Sequence, residues 1–236
     1  TLGAQAQPAA GAASTLIRNA TVLTVTNGTL QNTDVLLRDG KIAQIGQNIA
    51  APAGARVIDA TGKYVMPGII DPHSHAMSDA TNEGSLSVTS MVRIADVLNP
   101  TDVAIYRALA GGVTTINVLH GSANTIGGQN AVVKLKWGRD VDQMMFPGAT
   151  PGIKFALGEN VTRKGRSAVA IPGIPAQPAR YPTSRMGQEE VLRDAFVRAR
   201  DYKASWDEYR RAGSRGVAPR RDLELEPLVE VLEGRR

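Results

Sequence analysis

Val65-Met66-Pro67-Gly68-Ile69-Ile70-Asp71-Pro72-His73-Ser74-His75 is the stretch on which the chain turns. It is apolar almost to its end, which predicts a buried parallel strand, and two histidines arrive where that strand stops. Side chains two apart in a strand point the same way, so both imidazoles can reach one point in space. Two neutral imidazoles converging at a strand end make half of a transition-metal site. The competing interpretation is a surface loop that happens to hold two of the three histidines in the chain. The apolar flank and the tight spacing favour the strand end.

Upstream, Leu16 to Val25 alternates enough for a strand. Residues 34–38 and 41–45 flank Asp39-Gly40, a strong hairpin signal. A short strand over 56–59 follows, and Gly62 turns the chain into Tyr64-Val65-Met66. Residues 15–66 are expected to form a small antiparallel unit. From Pro67 onward strands alternate with helices, the pattern of βαβ units and of an α/β fold. Asn99-Pro100-Thr101-Asp102 predicts a helix start, and Gly111-Gly112 its stop. Val113 to Leu119 has the composition of a buried strand. Residues 131–136 alternate Val133 and Leu135 with Lys134 and Lys136, so one face should be wet. Residues 153–157 form the next apolar strand, ending at Gly158-Glu159-Asn160. Residues 158–187 carry four prolines and little periodicity, which predicts a long loop. Gln188 to Arg211 is the clearest helix, with Leu192, Ala195, Phe196, Ala199, Tyr202, Trp206 and Tyr209 on one stripe. A second short helix is expected near Pro227, stopped by Gly234.

Composition excludes several classes. There is no cysteine, so disulfide frameworks and thiolate metal sites are ruled out. No stretch approaches the roughly 20 apolar residues of a membrane span. Residues 138–236 carry eighteen Lys and Arg against fourteen Asp and Glu, whereas residues 1–137 are nearly balanced. The basic tail interleaves both signs at helical spacing, which reads as a solvated face and not as a nucleic-acid surface. Residues 1–14 are small, polar and aperiodic, as in a disordered segment. Ala4-Gln5-Ala6 has the form of a signal-peptidase site, which points to a periplasmic or secreted protein; an ordinary cytoplasmic tail is the alternative.

The segment 65–75 resembles the first barrel strand of the metal-dependent amidohydrolases, especially the imidazolonepropionase-like branch. The resemblance runs from about Leu16 to the last residue. It includes D-G-K-I at Asp39 to Ile42, A-G-G-V-T-T at Ala110 to Thr115, and G-I-K-F-A-L-G-E-N at Gly152 to Asn160. It implies a TIM-type (β/α) barrel joined to a β-sandwich built from both chain ends. A complete barrel takes roughly 250 residues by itself. The chain is therefore expected to hold the N-terminal part of the sandwich over 15–66 and the first half of the barrel over 67–236. One or more open edges should follow.

The same resemblance implies that His73 and His75 bind a divalent metal, commonly zinc, with one or two ions per site. A further ligand would be Lys154, as a carbamate, or Glu159, directly as a carboxylate. His120, Ser122, Asn124 and Gln129, with Asn130 beside them, lie on a polar, glycine-punctuated loop that either contacts substrate or merely turns the chain; for His120 a histidine hydrogen-bonded within the loop is favoured over a catalytic one. Arg163, Lys164 and Arg166 either hold a substrate carboxylate or, by default, are solvated surface charge. The implied reaction is hydrolysis of an amide or cyclic-amide C–N bond, in peptide or acyl-amino-acid substrates, by metal-activated water. The general base and the oxyanion donor are expected beyond Arg236, so this chain alone should be inactive. Its expected partners are a small-molecule substrate, a complementary C-terminal half and, through an open edge, a second copy. The other reading is a non-catalytic fragment that serves only as a folding or binding partner for that half.

Overall fold

Residues 14–163 and 180–236 are described by a computed structural model, without the Arg163 side chain. The Ala4–Ala6 signal, the Arg163, Lys164 and Arg166 side chains and most of the expected 158–187 loop lie outside the described residues. The chain divides into two compact units between Gly68 and Ile69.

The first unit is one sheet of five strands, β1 (Thr15–Leu23), β2 (Thr29–Arg38), β3 (Lys41–Gly46), β4 (Arg56–Asp59) and β5 (Tyr64–Val65). Asp39 and Gly40 join β2 to β3 with φ of 53° and 72°, the left-handed pair that a two-residue hairpin turn needs. A bulge interrupts β1, where Asn19 takes a φ of 58°. The carboxylate of buried Asp34 accepts from the Asn19 and Ile49 amides, both at 3.0 Å, so neither the bulge nor the incoming loop leaves that carboxylate unsatisfied. The expected antiparallel unit is corrected in one respect. β1 pairs antiparallel with β2, but parallel with β4 and β5. The reason is the excursion after β3, which brings the chain back along β1 in the direction of β1 itself. Two separate apolar clusters pack on the sheet: Ala20, Val22 and Val35 with Ala60, and Leu16 and Leu36 with Ile49.

The second unit opens with β6 (Ile69–Ser74), then α1 (Val103–Ala110) and β7 (Val113–Val118). β6 and β7 are parallel, with Ile69 opposite Val113 and Ser74 opposite Val118. Asp102 caps α1 by accepting from the Ala104 amide at 2.9 Å. Beyond β7 the expected parallel alternation does not continue among the described strands. β8 (Ile126–Gln129) and β9 (Ala131–Lys134) follow within a few residues, too few for a crossover, and β9 runs antiparallel to β7. α2 (Val141–Met144) leads to β10 (Ile153–Phe155), which pairs antiparallel with β8.

The other correction concerns β6 itself. Its isoleucines were expected to be buried, yet Ile69 and Ile70 are 44% and 66% exposed. β6 is an edge strand, paired only with β7 among the described residues.

Gly158 leads directly into a short helix, α3 (Glu159–Arg163), so the first part of the expected loop is helical. α4 (Arg185–Arg211) starts at Ser184, whose hydroxyl accepts from the Gly187 amide at 3.2 Å. α5 is Leu225–Leu232, and Gly234 follows it with a φ of 68°. Val191, Ala195 and Ala199 of α4 pack with Leu225 and Leu228 of α5 and with Ile126 of β8. Phe196 stacks on Phe155 of β10 at 6.2 Å between centroids, which ties the helical layer to the strand carrying Lys154. A second cluster, around Met77, Ile105, Ile116, Val118, Val133 and Met144, packs β7, β9, α1 and α2 against the segment that follows β6. Among the described residues no helix is long and apolar enough to cross a membrane.

Candidate functional site

The end of β6 is tied to the end of β7 by the Leu119 amide, which donates to the Ser74 carbonyl at 3.0 Å. His73 and His75 flank that anchor, and both are exposed. Their ring centroids lie 5.3 Å apart with planes at 82°. The pair therefore converges, as alternation along a strand requires. The His73 amide donates to Asp71 Oδ1 at 3.0 Å, which fixes the backbone just before the pair.

His75 Nδ1 lies 2.9 Å from the Leu119 carbonyl oxygen. A carbonyl can only accept, so Nδ1 carries the hydrogen and Nε2 keeps its lone pair in the neutral ring. Metal-ligating histidines are commonly prepared in this way, by a backbone or carboxylate acceptor on the far nitrogen. Lys154, half-buried in the middle of β10, brings its Nζ to 3.4 Å from His73 Nε2. Glu159 is exposed in the first turn of α3. Among the described residues no three His, Asp, Glu or Cys side chains are grouped closely enough to hold a metal ion. Of the two expected third ligands, Lys154 reaches His73 from the middle of β10, and Glu159 opens the short helix that follows that strand.

The expected substrate-binding set is placed differently. His120 is 2% exposed, and both ring nitrogens are committed to backbone. Nε2 accepts from the Glu83 amide at 2.8 Å, and Nδ1 donates to the Gly121 carbonyl at 2.9 Å. Burial pushes its pKa below the usual histidine value, against a smaller opposing effect of the Gly121 bond and the Glu83 charge. Asn124 is fully buried and donates to the Glu83 carbonyl, the Leu86 carbonyl and Thr89 Oγ1 at 2.8, 3.1 and 2.6 Å. Gln129 donates to the Ser90 carbonyl at 3.0 Å, and Asn130 to Asn117 Oδ1 at 2.5 Å. From the segment where a substrate contact had been expected, Asn124 and Gln129 thus hold residues 83–90 of the loop that follows β6, and Asn130 is bound to β7. Ser122 is half-buried on the same turn.

Arg180 belongs to the same arrangement and carries no sequence signal. Its guanidinium donates to the carbonyls of Leu86 and Ala123 at 2.7 and 2.6 Å, and also to Gly84. The partners lie far away in sequence, so neither periodicity nor local motif marks them. A separate cleft of about 340 Å³ between α4 and α5, lined by Tyr202, Trp206 and Arg221 among others, contains none of these residues.

No family model matches the chain. It is 33% identical over 228 residues to the amidohydrolase TasK of Hapsidospora irregularis, an alignment covering 85% of this chain and 22% of that protein. Over 60 residues it is 55% identical to a D-hydantoinase of Geobacillus stearothermophilus, covering 25% of this chain and 12% of the relative. Among solved structures, an amidohydrolase of Thermotoga maritima superposes with a TM-score of 0.78 at 34% identity, covering 92% of this chain and 55% of that one. The chain thus spans about a fifth of the Hapsidospora relative and about half of the Thermotoga structure.

Proposed function

Because the chain belongs to the metal-dependent amidohydrolase superfamily, we propose that it supplies the metal-holding part of an enzyme that hydrolyses amide or cyclic-amide C–N bonds. In this reading the second unit is the opening part of a (β/α) barrel, and the β6 and β7 ends form its rim. One observation carries the proposal: the two imidazoles converge, His75 has its Nδ1 fixed by Leu119, and Lys154 reaches His73.

These residues fit a divalent ion in part. Two imidazole nitrogens are proper donors for zinc, whereas a lysine ammonium is not. Reaction of the neutral Lys154 amine with carbon dioxide forms an N–C bond, releases the amine proton and leaves a carbamate. That product turns a repelling cation into an oxygen donor beside His73. A bound ion, zinc in this reading and one or two in number, supplies Lewis acidity that activates water and polarises the scissile carbonyl. His73 and His75 hold and orient it.

The reaction also needs a general base and an oxyanion donor. His120 is the remaining histidine, and its ring nitrogens are already engaged by backbone. We therefore assign proton transfer to a complementary segment docked beside β6, so that this chain alone holds metal without turnover. Exposed Ile69 and Ile70 on the β6 edge support that docking.

The test is metal content. Purified chain incubated with zinc and bicarbonate, then desalted, should retain zinc by elemental analysis, and His73→Ala and His75→Ala should not. Equal zinc in all three proteins would remove the proposal. Assays of a protein carrying both halves, on cyclic amides and on dipeptides, would then separate the two substrate classes.

A further inference from the structure

We propose that His120 is a positioning residue for His75, acting through the Leu119 carbonyl; this rests on the reading of His75 as a metal ligand. Leu119 and His120 are consecutive, so whatever immobilises the 120 side chain also aims the 119 carbonyl. That carbonyl is the acceptor for His75 Nδ1.

The His120 ring is held from every side. Its Nε2 takes the Glu83 amide proton and its Nδ1 gives one to the Gly121 carbonyl. The ring also lies against Gly127 and Gly128 of β8. A Cβ at Gly127 would sit 2.6 Å from Nδ1, and one at Gly128 would sit 3.0 Å from Cδ2. The turn that follows is pinned as well. The Gly121 amide donates to the Thr81 carbonyl at 2.6 Å, and the Ala123 amide to Asn82 Oδ1 at 3.1 Å. On the other side the Leu119 amide is bound to Ser74, the residue between the two imidazoles. The peptide that orients His75 is therefore clamped between the β6 end and the 81–83 segment, with His120 as the bolt.

The chemistry explains why a histidine stands there. The slot needs an acceptor for one N–H and a donor for one carbonyl on the same rigid, neutral ring. Lysine and arginine cannot accept, and leucine does neither. Burial favours the neutral form that leaves Nε2 able to accept. Groups that orient a metal ligand typically change metal affinity about 10–100-fold when removed.

The chain contains only three histidines, so each imidazole can be assigned by nitrogen-15 NMR of the full 236-residue protein. In metal-free wild type, His75 should be a single Nδ1–H tautomer. His120 should be the same tautomer, with its Nε2 coupled through the hydrogen bond to the Glu83 amide. His120→Leu should turn His75 into a mixture of tautomers and weaken zinc binding, measured by chelator competition, about 10–100-fold. His120→Gln, whose Oε1 can still accept from Glu83, should recover most of both. Gly127→Ala shifts the ring without replacing it and should act in the same direction; it decides the matter if His120→Leu does not fold. A folded variant of either kind with the wild-type His75 tautomer overturns the proposal. Absence of zinc binding by wild type would instead remove the metal-site reading, because the tautomer is read without metal.

Discussion

Lys154 Nζ and His73 Nε2 stand 3.4 Å apart, close enough to compete for the same space as a bound ion. As an ammonium, Lys154 opposes a dication at the imidazole pair; as a carbamate, it becomes a donor to one. Zinc retention should therefore depend on dissolved carbon dioxide. We expect bicarbonate-containing buffer to strengthen zinc binding and intact-mass spectra to show the gain of one carbon dioxide. Lys154→Ala should weaken binding by more than about tenfold, since even outer-shell losses reach that size. Acetate or propionate should restore part of it in the variant. Zinc affinity that is indifferent to bicarbonate and to Lys154→Ala would show that the lysine is only a neighbour.

Acid should loosen the fold through His120. Its burial depresses the imidazole pKa below the ordinary value of about 6.5. The charged groups that act on it are Glu83, which opposes the depression, and His75 and Lys154, which add to it. As pH falls below about 6.5 the unfolded chain takes up a proton that the native ring resists, so the unfolded state gains. Stability is thus full above that value and declines as pH drops toward the folded pKa. Urea midpoints from about pH 8 to about pH 5 should fall more steeply for wild type than for His120→Gln. Parallel curves would assign the acid sensitivity to other groups.

Much of this was legible because it is local. Asp39-Gly40 announces its hairpin through two residues that tolerate positive φ, and both adopt it. Asp102 announces a helix and caps it. The spacing of His73 and His75 places the rings together, as the pleat of a strand requires. What stayed hidden is set by contacts between distant segments. Ile126-Gly127-Gly128-Gln129 looks like a glycine loop, yet it is a strand, and its glycines are needed to let the His120 ring approach. Position at the end of β7 suggested a substrate role for His120, but position says nothing about whether ring nitrogens are already taken. For the third ligand, position along the strand favours Glu159 and local sequence likeness favours Lys154; the approach of Lys154 to His73 depends on how β10 is placed against the β6 end, which no local signal encodes.

Asn124 and Arg180 hold one loop from two separate later segments of the chain and share the Leu86 carbonyl as an acceptor. Asn124→Ala leaves the Glu83 carbonyl and Thr89 hydroxyl without that buried donor, and should cost about 3 kcal/mol in urea unfolding. Arg180→Met should cost less, since its guanidinium is only partly buried. Residues serving one carbonyl are not independent, so the double variant should depart from additivity by about 0.5–3 kcal/mol. Additive losses would mean that the 83–89 segment is held at separate points and does not behave as one unit.

His73 in β6 and His75 just beyond it sit on a strand whose outer edge is open. Ile69 and Ile70 are exposed there, and the strand pairs with β7 alone among the described residues. An apolar edge with unsatisfied backbone groups is a template for another strand. The chain should self-associate at concentrations where a charged edge would not, and Ile70→Lys should shift it toward monomer in sedimentation velocity. The same substitution should weaken docking of a complementary segment, since both would use this edge. Zinc binding should survive in Ile70→Lys, because the imidazole pair is fixed through Ser74, Leu119 and Asp71 and not through the isoleucine side chains. A wild-type chain that remains monomeric over a wide concentration range would show that this edge is not a pairing surface.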